Sequence, residues 1–437
     1  MAENLRTRAL GIALTATVLF TSAAQAQQEG FRFQGYLRSG FGVAGTGDPQ
    51  EGFRAPNAGA KYRLGNETEA YLETIFGYGL RPKDDSTAFF DTRINISYVT
   101  PTSNTNSFET TTALREAFVV ATGVWKAQKD ASFWAGQRFF DRHNVNMNDF
   151  FYRDLSGFGG GLDSVRVGVG PLRAGLAWLG GSVNELESNG SVQPPGSFQL
   201  SKNTFDLRVY GLPVAEGTLG VAFDLAVLSG DTVPFGDGSI EVGGNTGWAV
   251  SVIHDRPLAS GRNKLSFQYG KGVAYDFRAV LTQIPGRPFT AGDRVNYGDV
   301  WQFRAVEDLV LDRLAGPVSL QLGAVWQELD NGLPPGDRLT WLSLGVRPGY
   351  HLDRYFSLEL EAGIDHTKQT DGASGSLLKV TLAPQITPDI AALSRPSLRA
   401  YVTWARWSDD FVGQVAPVLY GAENRGYAAG VQIETWW

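Results

Sequence analysis

The chain has 437 residues, 19% of them charged and 12% aromatic, with 53 glycines, no cysteine and a formal net charge of −7. That sign argues against a nucleic-acid or anionic-surface binder, and the missing thiols exclude disulfides, thiolate metal sites and thiol catalysis. Many glycines and aromatics with few charges favour extended β-structure over a helical enzyme.

At the N-terminus, Arg6 and Arg8 precede the apolar run ALGIALTATVLF, which leads into Ala24-Gln25-Ala26. A basic start, a short apolar stretch and a small-residue site form the layout of a cleaved export signal. Residues 1–26 are therefore expected to be removed, leaving 27–437 as one domain. A transmembrane anchor is the alternative, because residues 9–28 carry no charge, but the apolar stretch is short for a span.

Alternation begins at FRFQGYLRSGFGV, where Phe31, Phe33, Leu37, Phe41 and Val43 share one face and Arg32, Gln34, Tyr36 and Arg38 the other. In AKYRLGNETEAYLETIF the same period groups Arg63, Glu67, Glu69, Tyr71 and Glu73 against Leu64, Ala70, Leu72 and Phe76. Turn chemistry follows at RPKDDS, QPPGS, FGDGS, DNGLPPGD and TDGASG. Short and long connections are mixed, which suits a barrel with tight turns at one end and loops at the other. At roughly 20 to 25 residues per strand and connection, the chain holds about 16 to 20 strands, with 18 favoured. A soluble sandwich would also alternate, but its polar face would not carry so many charges and large aromatics together. The expected fold class is all-β, a transmembrane antiparallel barrel with a wet lumen.

The chain closes on GYAAGVQIETWW. Neighbouring residues of a strand point to opposite faces, so Trp437 joins Tyr427, Ala429, Val431 and Ile433 toward lipid. Trp436 joins Gln432 and Glu434 toward the pore, where Tyr36 and Tyr71 also fall. Rings in an aqueous tube suit sugars, whose C–H faces stack on aromatic planes while their hydroxyls meet charged groups such as Arg38, Arg63 and Glu73. Filling or stiffening the wall is the plainer role for such rings.

Two enzymatic alternatives are weak. Glu359 and Glu361 share one face, as paired carboxylates of a glycoside hydrolase do, yet charged lumens hold many such pairs. His143, His254, His351 and His366 are dispersed, and FGGGLD lacks the Lys-Ser/Thr ending of a phosphate loop. No cofactor, metal or nucleic-acid partner is expected.

The stretches FQGYLRSGFG, AKYRLGNETEAYLE, FWAGQRFFDRHNVNMNDFFYRDLSGFGGGL, VRPGY, SRPSLRAYVTWARW and VQIETWW resemble the maltoporin family of Gram-negative outer membranes. The resemblance implies an 18-stranded homotrimeric barrel with a loop folded into the pore, passing malto-oligosaccharides along an aromatic slide beside an ionic track. It places Tyr36, Tyr71 and Trp436 on the slide, and Phe108 where a ring reaches into the neighbouring subunit. It places Arg38, Arg63, Glu73, Arg115, Arg142, Asp149 and Phe151 on the polar track and constriction. Phe151 replaces a usual tyrosine, Leu393 a slide tryptophan and Arg262 a slide phenylalanine; Gly52 and Thr68 lie at or near two family cysteines. A general or anion-preferring diffusion porin is the alternative within the pore class.

Overall fold

The computed structural model describes residues 28–437 except 86, 101–110, 184–186, 189–190, 193–199, 236–237, 282–291, 333–335 and 371. The expected export signal and Phe108 lie outside the described residues.

Eighteen strands form one sheet: β1 Gly30–Ala44, β2 Ala70–Leu80, β3 Phe89–Thr100, β4 Thr111–Thr122, β5 Ser132–Arg138, β6 Gly157–Arg166, β7 Arg173–Val183, β8 Leu200–Val214, β9 Gly217–Leu228, β10 Asn245–Leu258, β11 Gly261–Lys271, β12 Trp301–Ala315, β13 Val318–Asp330, β14 Arg338–His351, β15 Phe356–Gln369, β16 Ser374–Ile386, β17 Ser397–Trp407 and β18 Arg425–Trp436. Each pairs antiparallel with its chain neighbours, and β18 pairs back with β1, so the sheet closes. Closure leaves no edge strand, which a membrane demands because lipid offers no hydrogen bonds to bare backbone.

The period of two sets the faces. Leu398, Val402 and Trp404 of β17 point out, while Ser397, Tyr401, Thr403 and Trp407 are buried inside. Tyr427, Val431, Ile433 and Trp437 face outward as expected, and Trp437 packs on the outward Phe33 with ring centroids 5.8 Å apart. Leu358 and Leu360 point out and Glu359 and Glu361 point in.

Connections alternate in length. At one end, residues 215–216, 259–260 and 316–317 make two-residue hairpins. Ala215 and Glu216 take φ of 46° and 62°, the left-handed pair that matches strand twist in such turns. At the other end lie longer connections, 45–69, 139–156 and 408–424 among them.

Two features depart from the sequence pattern. The strand expected from residue 61 starts only at Ala70, and the polar-apolar alternation before it belongs to a loop that enters the barrel. The inner surface is also not polar throughout. Inward side chains Val306, Val325, Trp341, Leu377 and Trp407 form a dry core with Phe53 and Tyr62 of loop 45–69, with Val145, Met147 and Phe150 of loop 139–156, and with Phe411 and Tyr420 of loop 408–424. Loops from the long end thus fill much of the lumen, and inward apolar residues are explained by packing against them.

Candidate functional site

The seam where the barrel closes gathers three of the sequence-predicted rings. Register sets Tyr36 opposite both Glu73 and Trp436, and Arg38 opposite both Tyr71 and Glu434. All share the inward parity. The Tyr36 and Tyr71 rings meet edge to face, 6.0 Å between centroids, with Val99 and Trp436 packed beside them.

Their polar tips are occupied. Tyr36 Oη donates to Glu434 Oε1 at 2.9 Å and accepts from Arg63 Nη2 at 3.1 Å. Tyr71 Oη donates to Glu73 Oε1 at 2.5 Å. Their faces are partly occupied too: the Arg38 guanidinium lies 5.2 Å from the Tyr71 ring centre, and that of Arg395 4.9 Å from Trp436. Tyr36 and Tyr71 are therefore 1% and 2% exposed, while Trp436 is half-buried. These rings face inward without standing free in a column of water.

Segment 61–69 provides the cover. Lys379 Nζ donates to the Leu64 carbonyl at 2.6 Å and to Glu361 Oε1 at 2.8 Å, while Gln50 and Thr403 both donate to the Gly65 carbonyl. Arg347 pairs with the same Glu361. The carboxylate suggested as half of a hydrolytic pair is thus committed to two cations. Burial works against charge on Arg63, but Glu67, Tyr36 and Glu434 hold its pKa well above the usual value. Burial likewise opposes the Glu69 carboxylate, yet Arg38 and Lys61 bring it down to about 2. Next to this network lies a small polar cleft lined by Arg63, Leu64, Glu67, Arg347, Arg399, Gln432 and Glu434.

Loop 139–156 supplies Arg142, Asp149 and Phe151 of the predicted track and constriction. It forms a small hairpin, His143–Val145 against Phe150–Arg153, around a tight turn that ends with Asp149 at φ 54°. Arg142 is stacked between Phe139 and Phe151, 4.0 and 4.3 Å from the ring centres, and pairs with Asp154 at 3.2 Å. Phe151 therefore keeps a tyrosine's bulk and offers its face to a cation. Arg115 reaches the other end of this stack, 5.4 Å from Phe139, because a pairing irregularity between Asn95 and Ile96 breaks the parity of β4. Asp149 is 3% exposed and neither carboxylate oxygen has a hydrogen bond among the described residues; the nearest Arg38 nitrogen is 3.8 Å away. Burial pushes its pKa up to about 6 against the pull of Arg63 and Arg38.

The sequence reading missed the anchor of this loop. Arg153 is fully buried and donates to Asp206 at 2.8 Å, to Asp224 at 2.6 Å and to Ser251 at 3.2 Å on the wall, and to Asp141 within the loop. Arg208 joins Asp141 and Asp206. Glu434 was read as pore-facing, but its place as the acceptor for Tyr36, Arg63, Arg395 and Arg399 emerges only in three dimensions.

The three departures fall apart in space. Leu393 is half-buried in the 387–396 turn, and the neighbouring Arg395 takes the place beside Trp436. Arg262 faces inward on β11 and pairs with Asp308 at 3.2 Å. Among the described residues, no three metal-ligating side chains are gathered to hold an ion; His143 Nε2 lies 3.1 Å from Asp141 Oδ1 instead.

The family described as LamB porin matches residues 31–437. Among solved structures, OccK9 (OpdG) of Pseudomonas aeruginosa is similar at 10% identity and a TM-score of 0.48, over 93% of this chain and 98% of that one. An anion-selective porin from Comamonas acidovorans is similar at 10% identity and a TM-score of 0.46, over 94% and 99%. OmpF of Salmonella typhi, solved with daunomycin, gives 10% and 0.43, over 93% and 97%. These likenesses are distant.

Proposed function

Because this chain belongs to the LamB porin family of outer-membrane channels, we propose that it carries linear glucose oligomers or related sugars by passive diffusion along the seam of β1, β2 and β18. One observation carries this reading: Tyr36, Tyr71 and Trp436 gather on the inner wall next to a polar cleft rich in charged donors and acceptors. Aromatic planes beside a polar cleft match the two-sided chemistry of a pyranose.

The guanidinium groups over Tyr71 and Trp436 are part of the mechanism. A cation over a ring is worth about 0.5 to 2 kcal/mol, so a sugar face takes its place where each guanidinium keeps the carboxylate it already pairs with, Glu69 for Arg38 and Glu434 for Arg395. Segment 61–69 sets how far the rings open. Selection is by cross-section and lining groups, with no covalent step. Removal of residues 1–26, expected from the N-terminal sequence, and assembly as a homotrimer, implied by the family resemblance, complete the proposal.

A second reading, passage with little preference among small solutes, is favoured by Phe151, which removes a hydroxyl from the constriction, and by the charged residues at Arg262 and Arg395. Liposome swelling with maltose, maltotriose and sucrose separates the two. Sugar selection predicts faster entry of maltose than of sucrose; equal rates for these disaccharides favour the nonspecific pore.

A further inference from the structure

We infer that the outward face of β17 and β18 at the long-loop end is a binding surface for a phosphorylated glycolipid of the outer leaflet, held by Arg406 and Arg425.

These two arginines are direct cross-strand partners. Both are exposed and share the outward parity of Val402 and Trp404 on β17 and of Tyr427 and Val431 on β18. Like charges set directly opposite in a sheet repel, and the repulsion persists unless an anion lies between them. The chain supplies none: neither guanidinium has an ion pair or hydrogen bond among the described residues. No nearby acid among the described residues pairs with them. Asp409 accepts from Asn424 Nδ2 at 2.9 Å, and Asp410 and Glu423 make no ion pair with either arginine.

Position identifies the missing anion. The next outward pair toward the membrane centre is Trp404 opposite Tyr427, 41% and 58% exposed. Such amphipathic rings on a lipid-facing wall mark the level where acyl chains give way to headgroups. One pair farther out, the arginines stand at headgroup depth, at the end whose long loops mark it as extracellular. A phosphate there meets two planar guanidinium forks, each suited to bidentate contact. Beside Arg406 lies its outward cross-strand partner Leu378, and Val402 farther toward the membrane centre; both offer apolar contact for acyl chains.

The test uses the full chain purified in non-ionic detergent, incubated with lipopolysaccharide or with its enzymatically dephosphorylated form, and separated by size exclusion. The wild type should retain the phosphorylated glycolipid and release the dephosphorylated one. Arg406→Gln with Arg425→Gln should lower retention at least about tenfold, the scale expected for two cations at an anionic surface. Arg406→Lys with Arg425→Lys should keep most of it. Heat-modifiable gel mobility and single-channel conductance should not change in either variant, which shows that the barrel is intact. Equal retention by the Gln pair, or equal retention of the dephosphorylated glycolipid, overturns the inference. So does a Gln pair that changes oligomeric state with retention unaltered, since the arginines would then face a second copy of the chain.

Discussion

Tyr36 and Trp436 lie opposite one another across the hydrogen-bonded seam where the first and last strands meet. Arg63, carried in from a loop, donates to the Tyr36 hydroxyl at 3.1 Å. The aromatic wall is thus built by barrel closure and tied to a loop by a charge-assisted bond.

Ring and hydroxyl at Tyr36 can be separated. Tyr36→Phe keeps the plane and removes one acceptor from Arg63 and one donor to Glu434, which remain paired with each other. Its maltodextrin affinity should stay within roughly threefold of wild type, whereas Tyr36→Ala should lose on the order of tenfold, the scale of one aromatic contact. Current-block titrations measure both.

Arg153 should set the width of the constriction, because it fixes loop 139–156 to β8, β9 and β10. Arg153→Met strands Asp224 and leaves Asp141 and Asp206 to Arg208; breaking such a buried group costs about 3 to 5 kcal/mol. Single-channel records should show larger conductance with flicker, and thermal unfolding should start earlier. Adding Asp206→Asn and Asp224→Asn should restore quiet conductance, since the uncompensated charge is gone.

Asp149 gives a pH dependence with a definite sign. Its carboxyl is pushed from 3.8 up to about 6 by burial, so the folded state binds its proton more tightly than the unfolded chain. The resulting stabilisation is complete below 3.8 and is lost as pH rises through about 6, an effect on the order of 3 kcal/mol. Above that range its contribution is flat. Asp149→Asn, which also suits the left-handed backbone there, should remove Asp149's share of this slope in thermal unfolding between those values. It should also reduce the shift of reversal potential toward anions that is expected of the wild type on acidification.

Gly65 holds segment 61–69 against the wall at φ +61°, and a Cβ there meets Thr403, Tyr401 and Thr381. Gly65→Ala should cost about 1 to 2 kcal/mol for the backbone alone and loosen the cover over Tyr36 and Tyr71. Faster sugar entry in liposome swelling, with lower thermal stability, is the expected pair of outcomes.

What the sequence made legible follows from periodicity. Phe31, Phe33 and Val431 outward, and Tyr36, Arg38 and Glu434 inward, could be read from strict alternation; chain length favoured 18 strands and the family motifs implied the same number. Alternation failed wherever a polar pattern had another cause. Residues 61–69 alternate like a strand but are buried loop, and Arg115 and Glu116 both serve the interior because of the irregularity in β4. Trp341 and Trp407 point into the barrel yet are dry, since the loops packed on them are distant in sequence. Arg153 carried no signal at all: its three aspartates come from residues 141, 206 and 224, joined only when the wall curves round the loop.

The seam as a sugar path is tested most directly by single-channel current through planar bilayers with added maltohexaose, comparing wild type with Trp436→Ala. Resolved interruptions in the wild type that become at least about tenfold shorter in the variant, consistent with the loss of one stacking contact, are the predicted result. Uninterrupted current in the wild type, or unchanged dwell times in the variant, would contradict it.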